Sequence, residues 1–238
     1  ALIGWLGSLP AHAFETAAKS AILVDYRTGQ VLLAKDADAS LPPASMSKLM
    51  TAYLIFEQLR QGRLKLDDML PVSETAWKMG GSQMFLEVGN RVSVEDLLRG
   101  IIIQSGNDAC VVVAEALAGS EAAFVEMMNA KAAELGLTAS HFANSTGLDA
   151  PGHLMSVRDL AVLARRIIQE FPEFYSIYSE REYTFAGIRQ HNRNPLLQAG
   201  VPGVDGMKTG YTSQAGYGLV TSAMRGEQRL ILVITGLP

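Results

Sequence analysis

The sequence predicts an α+β protein in which an antiparallel sheet is built from both chain ends and flanked by helices. Three observations support this fold class. Strand-like apolar runs lie near both ends of the 238-residue chain, turn signals join neighbouring runs, and residues 93–170 have mostly helical patterns. The simplest arrangement of these parts is one sheet with a mostly helical subdomain inserted between its two halves.

The first predicted elements are a hairpin and a buried helix. Ala21–Tyr26 is a β-rich apolar run, Arg27–Gln30 has the composition of a turn, and Val31–Ala34 continues as the partner strand. The stretch Leu41-Pro42-Pro43 ends regular structure. From Met46 to about Leu59 the pattern is helical with little polar face, which predicts a helix buried in the middle of the fold.

The middle of the chain is predicted to be helical. Ser93 and Asp96 resemble a capping box at the start of a helix. Helical patterns continue over residues 108–118 and 120–135, and another helix is predicted over residues 156–168 after a polar loop.

Strand character returns near the C-terminus. Tyr183–Ile188, Leu219–Ala223 and Leu230–Ile234 are the best strand candidates, and Arg225–Gln228 joins the last two. These strands complete the predicted sheet.

The predicted domain organisation follows from these elements. Residues 1–13 are interpreted as the remnant of a signal peptide, because an apolar stretch leads into the small-x-small pattern Ala11-His12-Ala13. Residues 14–63 and 176–238 are assigned to an α/β sheet subdomain, and residues 64–175 to the inserted helical subdomain. We therefore expect an exported protein; the alternative for the N-terminus is an apolar arm packed on the domain.

The composition argues against several classes of protein. The formal charge of −4 gives no basic surplus for binding nucleic acid. No later segment has the ~18 apolar residues of a membrane-spanning helix. No group of His, Cys, Asp and Glu has metal-ligand spacing, so neither a metal nor another cofactor is expected. Cys110 is interpreted as a small buried hydrophobe and not as a nucleophile.

The first motif that points to chemistry is Ser45-Met46-Ser47-Lys48, at the start of the buried helix. Positions three apart share a helical face, so Ser45 and Lys48 can meet. A serine hydroxyl needs a base to become a nucleophile, and burial lowers the pKa of a lysine toward that role. By itself the motif also fits an N-cap serine followed by a surface lysine.

The second motif is Ser105-Gly106-Asn107. It suggests a tight turn that presents a hydroxyl for proton relay and an amide for holding a substrate amide. The alternative is an ordinary helix-capping turn.

The third motif is Lys208-Thr209-Gly210. On a strand Lys208 and Gly210 share one face, where glycine lets a substrate backbone approach. Lys208 can attract a carboxylate, and Thr209 or Thr212 can donate a hydrogen bond to it. The alternative is a solvated lysine on an edge strand.

In combination and in this order, the three motifs resemble the S-x-x-K, S-x-N and K-T-G set of penicillin-binding proteins and class A β-lactamases. The chain is most similar to low-molecular-mass penicillin-binding proteins of the D-Ala-D-Ala carboxypeptidase type (peptidase S11-like), over roughly residues 21–235. The further stretches that carry this resemblance are Pro43-Ala44-Ser45, Ser105–Cys110, Gly147-Leu148-Asp149, Gly187–Gln190 and Asn192-Arg193-Asn194. The resemblance implies a β-lactamase/transpeptidase-like fold.

The resemblance also implies catalytic roles. Ser45 attacks the carbonyl between the two D-alanines of a peptidoglycan pentapeptide stem, and water later hydrolyses the acyl-enzyme. Lys48 is the base, Ser105 and Lys208 help to move the proton to the leaving amine, and Asn107 binds the amide side of the substrate. β-Lactam antibiotics are expected to act as covalent inhibitors.

The other site residues implied by the resemblance bind substrate. These are Thr209, Gly210, Tyr211, Thr212 and Arg193. The backbone N–H groups of Ser45 and Tyr211 form the oxyanion hole. Tyr211 stands where the family often has His, so a side-chain role of that His is lost. For Arg193, orienting the site and contacting substrate are equally compatible with the sequence.

Several alternatives stay open. A β-lactamase on the same fold is disfavoured, because the loop 144–155 contains no Glu and only one acid, Asp149, and because Gly106 stands where class A enzymes usually have Asp. Endopeptidase, transpeptidase and a non-catalytic peptidoglycan-binding relative also remain. We expect a periplasmic location or one at the outer face of the cytoplasmic membrane, with membrane attachment only through a C-terminal segment absent from this chain.

Overall fold

The structure is a computed structural model that describes residues 15–238, so the predicted signal-peptide remnant lies outside the described residues. The strands are β1 (Ser20–Asp25), β2 (Val31–Lys35), β3 (Met69–Pro71), β4 (Arg91–Ser93), β5 (Glu182–Phe185), β6 (Ile188–His191), β7 (Val204–Thr212), β8 (Gly216–Arg225) and β9 (Gln228–Leu237). The helices are α1 (Lys48–Arg60), α2 (Glu74–Trp77), α3 (Val94–Arg99), α4 (Asn107–Ala118), α5 (Glu121–Leu135), α6 (Val157–Glu170), α7 (Pro172–Tyr175) and α8 (Pro195–Gln198).

The main sheet is antiparallel and has the strand order β2-β1-β9-β8-β7. Strand β1 lies between β2 and β9, so the first and last strands of the chain pair directly, with Ile22 opposite Val233. One face of the sheet is apolar and buried, because alternate residues such as Ile22, Val220 and Val233 point into the core. This arrangement confirms the predicted sheet from both chain ends.

Helix α1 runs through the core of the molecule. Leu49, Met50, Ile55 and Phe56 are completely buried, and Leu54 is nearly so. Burying each such side chain contributes about 1.5–3 kcal/mol, which explains why a helix with almost no polar face is stable here. The predicted start at Met46 is replaced by a 3₁₀ turn, Ala44–Ser47, that leads into α1.

Helices α3 and α6 begin where the sequence indicated, whereas the short helices α2 and α7 were not predicted. Ser93 caps α3 by accepting a hydrogen bond from the backbone N–H of Asp96, and Ser156 caps α6 in the same way. Helix α3, however, changes at residue 100 into a π-helical turn, Gly100–Gln104. This wider turn delivers the chain to Ser105.

The stretch Tyr183–Ile188 is not one strand, so that prediction was wrong. It is divided between β5 and β6, which form a separate two-stranded sheet. The turn residues Ala186 and Gly187 both have positive φ, 47° and 78°. Two such residues in succession form a tight hairpin turn, and the apolar run hid it because alanine rarely adopts this conformation.

The boundaries of the sheet and helical subdomains stay predictions. Helix α6 falls within the segment 64–175 that the sequence assigned to the helical subdomain, and it packs against β9 and β1 of the sheet. Within the part of the chain that the structure describes, no helix is both long and apolar enough to cross a membrane.

Candidate active site

Ser45 lies in the 3₁₀ turn that precedes α1, and it is the one residue of that turn that is not buried. The preceding residue, Ala44, has a positive φ of 48°. A non-glycine residue in this region is held there by its surroundings. Here the loop at Gly147 packs so closely that an added Cβ would lie 2.1 Å from the Ala44 carbonyl oxygen.

Lys48 begins α1 one turn after Ser45 and is almost completely buried. Its Nζ lies 2.9 Å from Ser45 Oγ and 2.7 Å from Asn107 Oδ1. It also donates a hydrogen bond to the backbone carbonyl of Thr146. The lysine therefore has a fixed position beside the serine hydroxyl.

The pKa of Lys48 is lowered to about 8. The main cause is burial, which disfavours the charged form, and the positive charge of Arg193 acts in the same direction. Asp108 and Cys110 oppose this shift. Lys48 therefore loses its proton more readily than an ordinary lysine does, as a base requires.

Ser105 and Lys208 form a second hydroxyl–amine pair. Ser105 follows the π-helical turn in a left-handed conformation, with a φ of 63°. Lys208 Nζ on β7 lies 2.9 Å from Ser105 Oγ and 3.2 Å from the Thr209 carbonyl oxygen. Burial lowers the pKa of Lys208 well below its usual value, and the charges of Lys48 and Arg193 lower it further.

Asn107, the first residue of α4, connects Lys48 to the loop that follows α2. Its Oδ1 accepts from Lys48, and its Nδ2 donates to the Gly80 carbonyl oxygen at 2.7 Å. Both ends of the amide are thus engaged within the protein. The expectation that Asn107 binds the substrate amide stays a prediction.

Gly210 brings β7 against the turn that carries Ser45. A Cβ at this position would lie 2.9 Å from the Pro43 carbonyl oxygen and 3.1 Å from the Ser45 backbone nitrogen. Lys208 and Gly210 share one face of β7, as the sequence indicated. This face points to Ser45 and Ser105, so Gly210 makes room for the protein's own turn, whereas the sequence had suggested that it makes room for a substrate backbone. No residue larger than glycine allows this approach without displacing the strand.

These residues open onto a cleft of about 820 Å³. Its lining includes Ser45, Ser82, Ser105, Arg193, Thr209, Gly210 and Tyr211, together with apolar side chains of β8 and β9. No Asp or Glu occurs among the described residues that line it. With Arg193 in its lining, the cleft suits a ligand that carries a carboxylate.

Two predicted binding residues differ in their placement. Arg193 lies at the cleft, and its Nη1 donates to Ser82 Oγ at 2.5 Å. Thr212 is not part of the cleft lining, and its hydroxyl donates to Asp149 Oδ1 at 2.8 Å.

Sequence reasoning missed three participants: Ser82, Asp108 and Thr146. Asp108 is buried, and its carboxylate accepts hydrogen bonds from the backbone N–H groups of Met84, at 3.1 Å, and Leu86, at 3.2 Å. It thereby holds the loop that carries Ser82. Its position directly after the second motif was the only available signal. Thr146 contributes a backbone carbonyl, which any residue type can provide.

Neither Cys110 nor His153 makes a side-chain hydrogen bond to Ser45, Lys48, Ser105 or Lys208. Cys110 is fully buried in α4, and burial raises the pKa of its thiol to about 12. His153 is also buried, which lowers its pKa to about 4, and its Nδ1 accepts from the Ala143 backbone N–H. Over residues 15–238 no group of three or more His, Cys, Asp or Glu has an arrangement that could hold a metal ion.

Comparison with known proteins gives consistent results. The profile of the peptidase S11 family, described as D-alanyl-D-alanine carboxypeptidase, matches residues 8–238. The D-alanyl-D-alanine carboxypeptidase DacC of Escherichia coli is 48% identical over 225 residues, covering 92% of this chain and 56% of that protein. DacF of Bacillus subtilis is 46% identical over 223 residues, covering 92% of this chain and 57% of that protein. The chain thus spans somewhat more than half the length of these relatives.

Solved structures show the same similarity. Penicillin-binding protein 6B from Escherichia coli has a TM-score of 0.90 and 47% identity, covering 99% of this chain and 75% of that chain. Penicillin-binding protein D2 from Listeria monocytogenes, in an ampicillin-bound form, has a TM-score of 0.84 and 30% identity, covering 93% of this chain and 90% of that chain. These matches confirm the expected β-lactamase/transpeptidase-like α+β fold.

Proposed function

This chain belongs to the peptidase S11 family of D-alanyl-D-alanine carboxypeptidases, and we propose that it removes the terminal D-alanine from peptidoglycan stem peptides through an acyl-enzyme on Ser45. The observation that carries the proposal is the contact of Lys48 Nζ with Ser45 Oγ at 2.9 Å, in a buried setting that lowers the lysine pKa to about 8. A hydroxyl beside a neutral, fixed amine is an activated nucleophile.

In the first step neutral Lys48 takes the proton of the Ser45 hydroxyl as Oγ attacks the carbonyl carbon between the two D-alanines. Negative charge then develops on the carbonyl oxygen. The backbone N–H groups of Ser45 and Tyr211 stabilise this charge, and they are adjacent because Gly210 lets β7 approach the turn.

In the second step the C–N bond breaks and the terminal D-alanine leaves as an amine. The leaving nitrogen needs a proton, and the Ser105 hydroxyl supplies it. Ser105 recovers that proton from Lys208, whose Nζ lies 2.9 Å away. The proton that Lys48 took from Ser45 passes to Lys208, which leaves Lys48 neutral again. Water then attacks the ester with Lys48 as the base, and Lys48 returns the proton to Ser45 Oγ as the bond between Oγ and the acyl carbon breaks, which releases the peptide acid and restores Ser45.

Substrate recognition follows from the positive character of the cleft. The terminal carboxylate binds near Thr209, with the charge of Arg193 close by in the same cleft. Gly210 and Tyr211 contribute backbone along the same strand edge. Thr212 donates to Asp149 in the structure, so we assign it to the rim of the cleft and to ordering of the β7–β8 turn.

β-Lactams react at the same serine, because their strained amide carbonyl occupies the position of the substrate carbonyl. The acyl-enzyme is expected to be long-lived, since no Asp or Glu lines the described cleft to position a hydrolytic water. The only acid of the loop 144–155 is Asp149, and its carboxylate accepts a hydrogen bond from the Thr212 hydroxyl. This argues against a β-lactamase. A substrate in the cell wall requires a location outside the cytoplasmic membrane, so we also propose that the protein is exported.

The test is intact-protein mass spectrometry after brief exposure to benzylpenicillin, combined with a D-alanine assay on a stem-peptide mimic. We expect a stable penicilloyl adduct on the Ser45 peptide and release of D-alanine. Ser45→Ala abolishes both, whereas Ser213→Ala, which alters an exposed serine in the β7–β8 turn, leaves both unchanged.

Other outcomes discriminate between the alternatives. An adduct without D-alanine release indicates an endopeptidase or a transpeptidase. Consumption of the drug without an adduct indicates a β-lactamase. Neither adduct nor consumption indicates a non-catalytic peptidoglycan-binding relative, and labelling of Ser45→Ala would show that the nucleophile is misassigned.

A further inference from the structure

Two tyrosines at the cleft are more exposed than any other large hydrophobic side chain of the described chain. Tyr211 on β7 is 57% exposed and Tyr217 on β8 is 55% exposed. Their rings contact each other, with centroids 4.4 Å apart and planes inclined by 33°. Both line the same cleft as Ser45. Together they offer a wide aromatic surface to a bound ligand.

The strand register shows what lies beside these rings. Tyr211 is directly opposite Tyr217, and Thr209 is directly opposite Leu219. Side chains alternate along a strand, so these four share one face of the β7–β8 pair, opposite to the face of Lys208 and Gly210. We call Tyr211, Tyr217 and Leu219 the aromatic patch. All three line the cleft together with Thr209.

We propose that the aromatic patch is the subsite for the side chain of the substrate's C-terminal residue, and that the protein releases bulky apolar D-amino acids as well as D-alanine. This inference rests on the proposed function, in which Thr209 binds the terminal carboxylate. The carboxylate and the side chain share one α-carbon. Thr209 has two cross-strand neighbours on this face: Leu219 directly opposite, about 5 Å away between Cβ atoms, and Tyr217 on the diagonal, about 7–8 Å away. When the carboxylate binds at Thr209, the side chain on the same α-carbon is therefore within reach of Leu219 and Tyr217.

The chemistry of the patch favours an apolar side chain. The methyl group of D-alanine covers only a small part of two tyrosine rings, whereas a phenyl ring covers much more of them and stacks on them. The patch itself contains no charged group, so a charged side chain would lose water without gaining a partner. We therefore expect a C-terminal D-phenylalanine to be accepted and a C-terminal D-glutamate to be disfavoured.

The reaction on such a peptide is the same acyl transfer. The Ser45 Oγ–carbon ester bond forms, the amide C–N bond breaks, and the leaving nitrogen takes a proton and departs as D-phenylalanine. Water then hydrolyses the ester, which gives the shortened peptide acid and restores the Ser45 hydroxyl. No reactant other than water is needed.

The experiment measures kcat/KM for three diacetyl-lysyl-D-alanyl peptides that end in D-alanine, D-phenylalanine or D-glutamate. We expect the D-phenylalanine peptide to be cleaved within about threefold of the D-alanine peptide, and the D-glutamate peptide at least about tenfold more slowly. Tyr217→Ala lowers the ratio of kcat/KM for the D-phenylalanine and D-alanine peptides about tenfold, mainly through KM, because one aromatic contact is worth up to about tenfold in affinity.

Two further variants serve as controls. Tyr217→Phe keeps the ring and preserves the ratio. Leu32→Ala removes an exposed apolar side chain from β2, at the opposite edge of the sheet, and changes no rate.

The outcomes separate this inference from the proposed function. Release of D-alanine without release of D-phenylalanine overturns the inference and leaves the proposed function intact. If Tyr217→Ala leaves the ratio of kcat/KM for the D-phenylalanine and D-alanine peptides unchanged, the inference is also overturned and the proposed function stays intact. Release from no peptide, together with the absence of a penicilloyl adduct, overturns both.

Discussion

At the scale of single residues, the site depends on two buried lysines that each contact a serine hydroxyl. Lys48 is hydrogen-bonded to Ser45, and Lys208 is hydrogen-bonded to Ser105. Burial lowers the pKa of both, and the charge of Lys48 lowers the pKa of Lys208 further. Because two buried ammonium groups repel each other, the arrangement favours a state in which at least one amine is neutral. In the proposed mechanism, this neutral amine is Lys48 and acts as the base.

The first prediction concerns the pH dependence of acylation. In the proposed mechanism the active form of Lys48 is the neutral amine, and the pKa of Lys48 is about 8. The rate constant for acylation by benzylpenicillin should therefore rise as pH rises through about 8 and fall on acidification. The rate constant is measured by stopped-flow between about pH 5 and about pH 10. A profile that is flat over this range would contradict the role of Lys48 as base.

Lys48→Arg is the matched variant for this experiment. A guanidinium keeps the positive charge and can donate hydrogen bonds, but it does not lose a proton in this range. We expect acylation to fall by about 10²–10⁴-fold, the usual contribution of a general base, with the fold retained by circular dichroism. Wild-type rates in this variant would reduce Lys48 to a positioning residue.

The sequence indicated the site side chains that occur in motifs. It missed two other kinds of group: a backbone carbonyl that contacts a site residue, and a side chain that holds a loop of the site in place. Ser45 and Lys48 meet as the spacing of their motif predicted. Ser105 and Lys208 also meet, although they belong to different motifs and only the family resemblance had connected them. Thr146 acts through its carbonyl oxygen, which has no residue signature. The partners of Asp108 lie 22 and 24 residues away, so their proximity emerges only once the chain has folded.

At the scale of elements, the most constrained contact is that of β7 with the 3₁₀ turn of Ser45. Gly210→Ala should push β7 away from the turn, because its Cβ would lie 2.9–3.1 Å from atoms of residues 43–45. We expect acylation to fall by about 10²–10³-fold, as when an oxyanion-hole donor is lost. The measurement is the benzylpenicillin acylation rate.

Gly80→Ala is the matched control for Gly210→Ala. A Cβ at Gly80 would meet no atom within 4 Å, and its φ is not positive, so its rate should equal that of the wild type. If Gly210→Ala also kept the wild-type rate, close approach of β7 would not be required for catalysis.

Element types were predictable where local chemistry decides them. The serine caps of α3 and α6 and the β1–β2 hairpin have clear local signals, and the structure contains all three. The β5–β6 hairpin and the π-helical turn before Ser105 have none, because neither Ala186 nor Gly100–Gln104 has the composition of a turn. Packing around these residues, and not their intrinsic preference, determines their conformation.

At the scale of the whole molecule, the site joins three segments that are far apart in sequence. Lys48 and Asn107 are 59 residues apart, and Ser105 and Lys208 are 103 residues apart. We therefore expect penicillin labelling of Ser45 and far-ultraviolet circular dichroism to be lost together in a urea titration. Labelling that disappears at lower urea than the dichroism would show that the cleft opens before the fold is lost.

The overall architecture was predictable because strand-like sequence lies at both ends of the chain and helical sequence lies between them. The order of the strands in the sheet could not be predicted, because β1 and β9 pair across some 200 residues and such pairing leaves no local pattern in the sequence. The division into a sheet and a helical subdomain also stays a prediction, as α6 packs on the sheet from within the helical segment.

The pairing of β1 with β9 has a consequence in time. Strand β1 ends at Asp25 and its partner begins at Gln228, so about 200 residues must be added before the sheet can close. At about 5–20 residues per second, synthesis of that stretch takes about 10–40 s. During this interval one hydrogen-bonding edge of β1 has no partner, and the main sheet of the nascent chain stays open.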